Sequence, residues 1–224
     1  MVTRCEPEDV DEYPSMNTLA IMLMALAGLA AVGNWVSVAR RVRLGIYIFK
    51  PLTLVLMIGA AVALDPVSST ARTWFVIALA LSLTGDVFLM LPTDAFVPGL
   101  ASFLLGHVAY VVGLNRDTDG HWLVAIPVVA VAAILGSRLI GGIRAKGHRE
   151  LVAPVVAYVL TILVMVSSAV ASGNALSAIG ALFFMTSDAL IGEDRFVQPR
   201  PWQPVAIMVT YHVAQALLVV SLTT

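Results

Sequence analysis

Three side chains that are charged in water fall inside long apolar stretches of this sequence: Lys50, Asp86 and Asp188. An ionised side chain deep in hydrocarbon costs at least about 2.5 to 3.5 kcal/mol on insertion scales, so each needs a compensating interaction or a function. Two carboxyl groups in a poorly hydrated pocket do not both ionise readily, so one should hold a proton while the other stays charged. Such a pair suits acid-assisted hydrolysis, in which one group protonates the substrate and the other assists the attack of water.

Other polar side chains in the apolar stretches are candidates to bind a substrate or to support the two aspartates. The set we favour is Lys50, His107, Tyr110, Ser187, Tyr211 and Gln215. Lys50 would favour the charged form of the nearer aspartate and leave the other as the acid, but beside Pro51 it could instead extend to the membrane surface. His212 alone is more simply a packing histidine, and Asn34 and Tyr158 are further uncharged polar residues within the spans.

The composition of the chain excludes most classes of soluble protein. Of its 224 residues 59% are hydrophobic and 12% charged, and the mean hydropathy is +0.93, whereas a soluble domain has about 25% charged residues. The net charge of -1 offers no basic patch for nucleic acid, and the single cysteine, Cys5, excludes an internal disulfide framework. No Gly-x-Ser-x-Gly elbow, P-loop or dinucleotide fingerprint occurs in the sequence, which disfavours covalent serine hydrolysis and phosphoryl transfer from ATP.

Eight apolar stretches, each long enough for a transmembrane helix, must position these residues. They do not alternate in polarity as barrel strands do, so we predict an all-α membrane bundle of eight spanning helices in a single domain over residues 17–222. The short connections favour antiparallel packing of sequential helices. The predicted spans are Asn17 to Val38, Ile46 to Leu64, Arg72 to Leu91, Phe96 to Leu114, Trp122 to Ile140, Leu151 to Ala171, Leu176 to Ile191 and Trp202 to Leu222.

The distribution of charge predicts how the bundle is oriented. Residues 1–16 are rich in acidic side chains and are predicted to form a flexible tail, so the first helix is an uncleaved anchor. Ten of the 13 Lys and Arg residues lie in or beside the connections after helices one, three, five and seven. The positive-inside rule places those connections in the cytoplasm and both termini outside. Lys50, Asp86 and Asp188 then share the cytoplasmic half of the membrane, where a common pocket opening toward the inner leaflet would keep them from lipid.

Short matches at a spacing of about half the chain predict an internal duplication. Thr84-Gly85-Asp86 is matched by Thr186-Ser187-Asp188, and His107-Val108-Ala109 is matched by His212-Val213-Ala214. We predict two halves of four helices each, over about 17–114 and 122–222. Because four is an even number, the halves would point the same way and be related by an axis along the membrane normal. That arrangement would bring Asp86 and Asp188 face to face.

Taken together, these residues resemble a known family, the YhhN-like lysoplasmalogenases, which are multi-pass membrane proteins of bacteria and animals. The resemblance covers nearly all of the apolar part of the chain, and His212 departs from its pattern. Each motif is short, but their order and spacing are fairly specific. The motifs are Lys50-Pro51, Gly85-Asp86, the run from Gly99 to Tyr110, Ser187-Asp188 followed by Phe196, and Tyr211-x-x-Ala214-Gln215.

The resemblance implies hydrolysis of the vinyl ether bond of lysoplasmalogens, which are lysophospholipids, to a fatty aldehyde and a glycerophospho-alcohol. Protonation of the vinyl ether requires an acid, and the oxocarbenium ion that follows requires a nearby carboxylate. Asp86 and Asp188 are the two candidates, without a decision as to which takes which role. No cofactor and no metal are expected, and the expected location is a bacterial cell membrane.

Two other functions remain open at this point. A metal-dependent membrane lipid hydrolase would bind Zn²⁺ through His107, His212, Asp86 and Asp188, although no closely spaced pair of histidines supports it. A proton-coupled transporter or lipid flippase would also have paired halves with acidic residues inside the membrane. An enzyme forms a new product in detergent, whereas a carrier needs sealed vesicles.

Overall fold

The computed structural model describes residues 14–93, 95–115 and 126–224, which form helices joined by short connections. Each of the eight long helices is apolar enough to cross a membrane, so the prediction of an all-α multi-pass membrane protein is confirmed. The predicted acidic tail lies almost entirely outside the described residues, as does the predicted start of the fifth span. The helices are α1 Thr18–Ala39, α2 Arg43–Ala63, α3 Ser69–Met90, α4 Phe96–Leu114, α5 Ile126–Ala145, α6 Val152–Ala171, α7 Ala175–Gly192 and α8 Gln203–Val220.

Polar side chains and glycines define the ends of several helices. Asn17, Ser68 and Asn174 precede α1, α3 and α7, and the side-chain oxygen of each accepts a hydrogen bond from a backbone N–H of the first turn. Gly147 and Gly173, which follow α5 and α6, have φ angles of 83° and 75°. This left-handed conformation favours glycine and stops a helix. Beyond α7 the chain continues into one turn of π-helix, Glu193–Val197.

The bundle has an apolar exterior and buries polar groups in its interior. Large apolar side chains point outward along the helices, for example Leu29 with 71% of its surface exposed and Ile134 with 68%. Lys50, Asp86 and His107 are buried instead. A surface of this kind suits hydrocarbon rather than water, and the buried polar groups must find partners within the protein.

Hydrogen bonds between connections place both described ends of the chain on one face of the bundle. Ser15 pairs with Asp65 after α2, and the backbone N–H of Val67 donates to the carbonyl of Leu222. The side chain of Asn174, before α7, also bonds to Thr224. The connections after α1, α3, α5 and α7 therefore lie on the opposite face, where most of the lysines and arginines are. Which face meets the cytoplasm stays a prediction from the charge distribution.

Sequential helices are close neighbours except at one position. The α1–α2, α3–α4 and α7–α8 pairs pack most extensively, and α2–α3, α5–α6 and α6–α7 are also in contact. The α4 helix packs against α6 rather than mainly against α5, which contacts α6 and the π-helical turn. The expectation that all sequential helices are neighbours is therefore met least at α4 and α5, which both line a cavity.

Candidate active site

Asp86 forms one half of the site, between α2, α3 and α8. Its Oδ1 atom lies 3.0 Å from the Lys50 ammonium, and its Oδ2 atom accepts a hydrogen bond of 2.9 Å from the Tyr211 hydroxyl. Only 1% of its surface is exposed. Lys50 lies seven residues after the start of α2, about two turns rather than the one predicted, because the helix begins at Arg43. It therefore turns inward to Asp86 and does not extend to the membrane surface.

Asp188 forms the other half, between α4, α6 and α7. Its Oδ2 atom accepts a hydrogen bond of 2.8 Å from the Tyr158 hydroxyl and lies 3.4 Å from Nε2 of His107, without hydrogen-bond geometry. His107 Nδ1 lies 2.6 Å from the backbone carbonyl of Phe103. Because a carbonyl oxygen only accepts hydrogen bonds, Nδ1 must hold a hydrogen. In a neutral ring with this tautomer, Nε2 carries a lone pair and lies beside the Asp188 carboxyl group.

Aromatic rings separate the two aspartates from one another. The Phe184 ring on α7 lies 4.6 Å from the His107 ring and 5.5 Å from the Tyr211 ring, measured between centroids. Phe103 contacts Tyr211 at 5.9 Å. Gly85 permits this packing, since a Cβ atom there would lie 2.6 Å from the Phe103 ring. The apolar rings limit access of water to the carboxyl groups.

The remaining predicted residues lie outside these two clusters. Tyr110 and Gln215, one turn further along α4 and α8, bond to each other through the Tyr110 hydroxyl and Oε1 of Gln215 at 2.5 Å. The Ser187 hydroxyl donates to the backbone carbonyl of Ile207 at 3.1 Å and so fixes α7 against α8. The structure thus brings together Lys50, Asp86 and Tyr211 in one cluster, and His107 and Asp188 in the other.

Several side chains around the site were not assigned a role from the sequence. From the sequence, Tyr158 is only one of several polar residues in the spans. Phe184 has no feature that marks it, although it lies one turn before Asp188 on the same helix. His212 accepts a hydrogen bond of 3.0 Å from the indole N–H of Trp35, in keeping with a packing histidine. Asn34 is fully buried beside Trp35, and neither polar atom of its side chain has a partner.

An apolar cavity of about 70 Å³ lies between α4, α5, α6 and α7. Its walls are almost entirely apolar, and Asp188 and Tyr158 contribute polar atoms at one end. Apolar lining residues include Leu89, Leu100, Phe103, Ala132, Val159 and Ile162.

A second cavity, of about 470 Å³, opens at the face that contains the connections after α1, α3 and α7. Its lining is mostly apolar but includes several charged side chains, and we call it the polar cavity. Arg43, Tyr47 and Lys50 line it from α2, and Asp194 lines it from the π-helical turn. Leu89 contributes to the walls of both cavities. The two aspartate clusters are therefore close to the place where the polar and the apolar cavity meet.

The geometry gives no support to a zinc site made of the four residues considered above. Within the described ranges, no three His, Cys, Asp or Glu side chains converge as metal ligands would. His107 faces Asp188, whereas His212 faces Trp35.

These features define a class: a multi-pass helical membrane protein with two buried carboxyl groups between an apolar and a polar cavity. Comparison with protein families is consistent with this class. The model of the YhhN family matches residues 45–222, so the chain belongs to the YhhN family.

Individual relatives have names that describe an activity. The chain is 35% identical over 146 residues to human Lysoplasmalogenase TMEM86B, which covers 64% of this chain and 61% of the human protein. It is 34% identical over 178 residues to Lysoplasmalogenase of Mycobacterium tuberculosis and equally to that of Mycobacterium bovis, which covers 76% of this chain and 67% of each relative. The chain thus spans about three fifths of the length of the human relative. No solved structure matches it.

Proposed function

We propose that this protein is a lysoplasmalogenase, which hydrolyses the vinyl ether bond of lysoplasmalogens within the membrane. The observation that supports this most is the unequal pairing of the two buried carboxyl groups, Asp86 with Lys50 and Asp188 with His107. The names of relatives that align over most of this chain point the same way.

The partners of the two aspartates suggest a separate role for each. A buried ammonium needs a counter-anion, so Lys50 favours the ionised form of Asp86, and the Tyr211 hydroxyl adds a hydrogen bond to that carboxylate. No lysine or arginine in the described part of the chain pairs with Asp188, whose carboxyl group lies beside Nε2 of His107. We therefore assign the acid to Asp188 with His107, and the stabilising carboxylate to Asp86.

The proposed reaction begins with proton transfer from the Asp188–His107 pair to the vinyl carbon that is not bonded to oxygen. The π electrons of the vinyl group form the new C–H bond, and an oxocarbenium ion results. The Asp86 carboxylate stabilises this cation and accepts a proton from the water that attacks it. The hemiacetal then collapses: its hydroxyl returns a proton to the Asp188–His107 pair, its C–O bond to glycerol breaks, and Asp86 gives its proton to the leaving oxygen. The products are a fatty aldehyde and the glycerophospho-alcohol. Substrate plus one water thus balances the two products.

The two cavities suggest how the lipid lies in the protein. We place the alkenyl chain at the apolar cavity, which Asp188 helps to line. The vinyl carbon that receives the proton belongs to the chain side of the ether, which is the side on which the proposed acid lies. The glycerol and head group then extend past Leu89 toward the polar cavity, beside Lys50 and Asp86.

We propose supporting roles for the other predicted residues. Tyr110 and Gln215 stabilise the floor of the site through their mutual hydrogen bond, and Ser187 holds α7 in place. The amide nitrogen of Gln215 is buried and has no hydrogen-bond partner among the described residues, so it is suited to bind a water molecule.

We also propose that the site arose by duplication of a four-helix unit. Asp86 takes partners from α2, in its own half, and from α8, in the other half. Asp188 likewise takes partners from α6, in its own half, and from α4, in the other half. This exchange is what a two-fold relation between the halves predicts, with α2 equivalent to α6 and α4 equivalent to α8. The polar cavity would open to the cytoplasmic leaflet, in a bacterial cell membrane.

Replacing either aspartate with asparagine tests the proposed roles. Asp188→Asn removes the acid and is expected to lower kcat for aldehyde release by about 10² to 10⁴. Asp86→Asn removes the stabilising carboxylate and is expected to lower it by about 10² to 10³. The measurement is fatty aldehyde formed from an alkenyl lysolipid by purified protein in detergent, with mass detection.

Asp65→Asn is the matched control, since Asp65 lies on the opposite face of the bundle and should retain full activity. All variants should remain folded, with unchanged elution in detergent. Near wild-type turnover in both Asp86→Asn and Asp188→Asn would refute the assignment of the two aspartates. A wild-type protein that forms no aldehyde in detergent would refute the enzyme itself.

A further inference from the structure

One face of α2 bears polar side chains from the membrane surface down to the site. Arg43, Tyr47 and Lys50 are spaced by four and three residues, so they lie in one row along the helix, and all three line the polar cavity. At 1.5 Å per residue the row extends about 10 Å from Arg43 to Lys50. Arg43, at the start of α2, therefore lies at the outer end of this row, and Lys50, paired with Asp86, lies at the inner end.

Only one of the two cations in this row has a fixed anionic partner. Lys50 is paired with Asp86 and buried. Arg43 is exposed and forms no ion pair with any described residue. An arginine at the wall of a cavity, with its guanidinium unpaired, is suited to bind a phosphate through two parallel hydrogen bonds.

The π-helical turn contributes the carboxyl group of Asp194 to the wall of the polar cavity, and contacts with α5 hold this turn in place. Glu193, one residue before Asp194, forms a bidentate ion pair with Arg138 of α5, and the Lys146 ammonium donates to the carbonyl of Arg195. These contacts fix the π-helical turn from the α5 side. Asp194 lines the polar cavity instead and has no ion pair among the described residues.

We propose that the polar cavity is a binding site for a zwitterionic head group, with Arg43 binding the phosphate and Asp194 binding the ammonium. The inference rests on the proposed function, because it places the head group of the same lysolipid. It adds two residues that determine specificity, and it predicts that a phospho-amine head group is preferred over a phosphate monoester.

Both side chains are at least partly accessible to water, so each contact is worth less than a buried one. They are also remote from the reacting bond. Loss of either should therefore act on binding: KM is expected to rise about tenfold, which corresponds to about 1.4 kcal/mol, while kcat changes little.

The test compares two alkenyl lysolipids that differ only in their head groups, phosphoethanolamine and phosphate, using full-length protein in detergent micelles. Asp194→Asn is expected to raise KM for the phosphoethanolamine lipid about tenfold and to leave KM for the phosphate lipid unchanged. Arg43→Gln is expected to raise KM for both. Glu150→Gln and Arg40→Gln, which make the same charge changes on the same face outside the cavity, are the controls.

Inhibition by soluble compounds distinguishes a site that binds the whole head group from a site that binds any free anion. Glycerophosphoethanolamine should inhibit the wild type competitively and Asp194→Asn about tenfold more weakly, and inorganic phosphate should inhibit both proteins equally weakly. If the wild type releases aldehyde but Asp194→Asn and Arg43→Gln keep its KM values, the head-group site is wrong and the enzyme assignment stands. If the wild type releases no aldehyde from either lipid, but glycerophosphoethanolamine still binds and depends on Asp194, the proposed function fails and the site remains.

Discussion

Asp86 and Asp188 are the same residue type, and each lies four residues before the end of its helix. Their different surroundings assign them different chemistry. A lysine ammonium and a tyrosine hydroxyl surround Asp86, whereas a histidine and a tyrosine surround Asp188 at the end of an apolar cavity. Two carboxyl groups held in unlike environments are a recurring way to obtain an acid and an anion at the same pH.

Tyr158 provides a prediction about positioning at the residue scale. Its hydroxyl donates to Asp188 and holds the carboxyl group beside His107, without being placed on the substrate. Tyr158→Phe should therefore lower kcat about tenfold, the loss expected for one hydrogen bond, and leave KM unchanged. The measurement is steady-state aldehyde release. Tyr13→Phe, in the acidic tail, is the control. A rise in KM with unchanged kcat would contradict the positioning role.

The sequence identified Lys50, Asp86 and Asp188 because charged residues are rare inside spans. It could not pair them, since pairing depends on which helix faces meet. Tyr158 shows the difference: its residue type is ordinary in a span, and only the packing of α6 against α7 brings it to Asp188. The assignment of Lys50 to Asp86 also required the observed start of α2.

At the scale of elements, all eight helices were predicted, but some of their boundaries were not. The α5 helix ends at Ala145, five residues beyond the predicted Ile140, and Gly147 with its φ angle of 83° lies in the turn that follows. The π-helical turn after α7 has no signature in the sequence. It forms where Arg138 and Lys146 of the α5 segment bind the chain beyond Gly192.

Two neighbouring glycines test the packing of this turn. A Cβ atom on Gly142 would lie 2.5 Å from the carbonyl oxygen of Phe196, whereas a Cβ atom on Gly141 would meet nothing within 4 Å. Overpacking of this kind costs about 1–3 kcal/mol, so Gly142→Ala should lower the melting temperature in detergent by roughly 2–10 °C. Gly141→Ala is the control and should not lower it, because alanine favours helix. Equal melting temperatures for the two variants would show that the turn does not pack closely on α5.

At the scale of the whole molecule, composition alone predicted the membrane bundle, because a chain with so few charges cannot cover a soluble surface. The sequence predicted one shared pocket for the charged residues, but not two cavities. The apolar cavity exists because α4 packs on α6 and leaves space beside α5, and the length of the connections did not reveal this arrangement. Leu89 lines both cavities, and the proposed position of the lipid follows from this shared wall.

In the proposed reaction, the protein protonates a vinyl ether carbon and then adds water. The most direct test is to incubate the purified wild type with a lysoplasmalogen in D₂O, trap the aldehyde as it forms, and determine its mass and the position of the label. Authentic aldehyde added to Asp188→Asn in D₂O controls for exchange after release. Protonation of the vinyl carbon by the protein predicts a fatty aldehyde with one deuterium on the carbon next to the carbonyl. An aldehyde without deuterium at that carbon, or fatty acid in place of aldehyde, would contradict it.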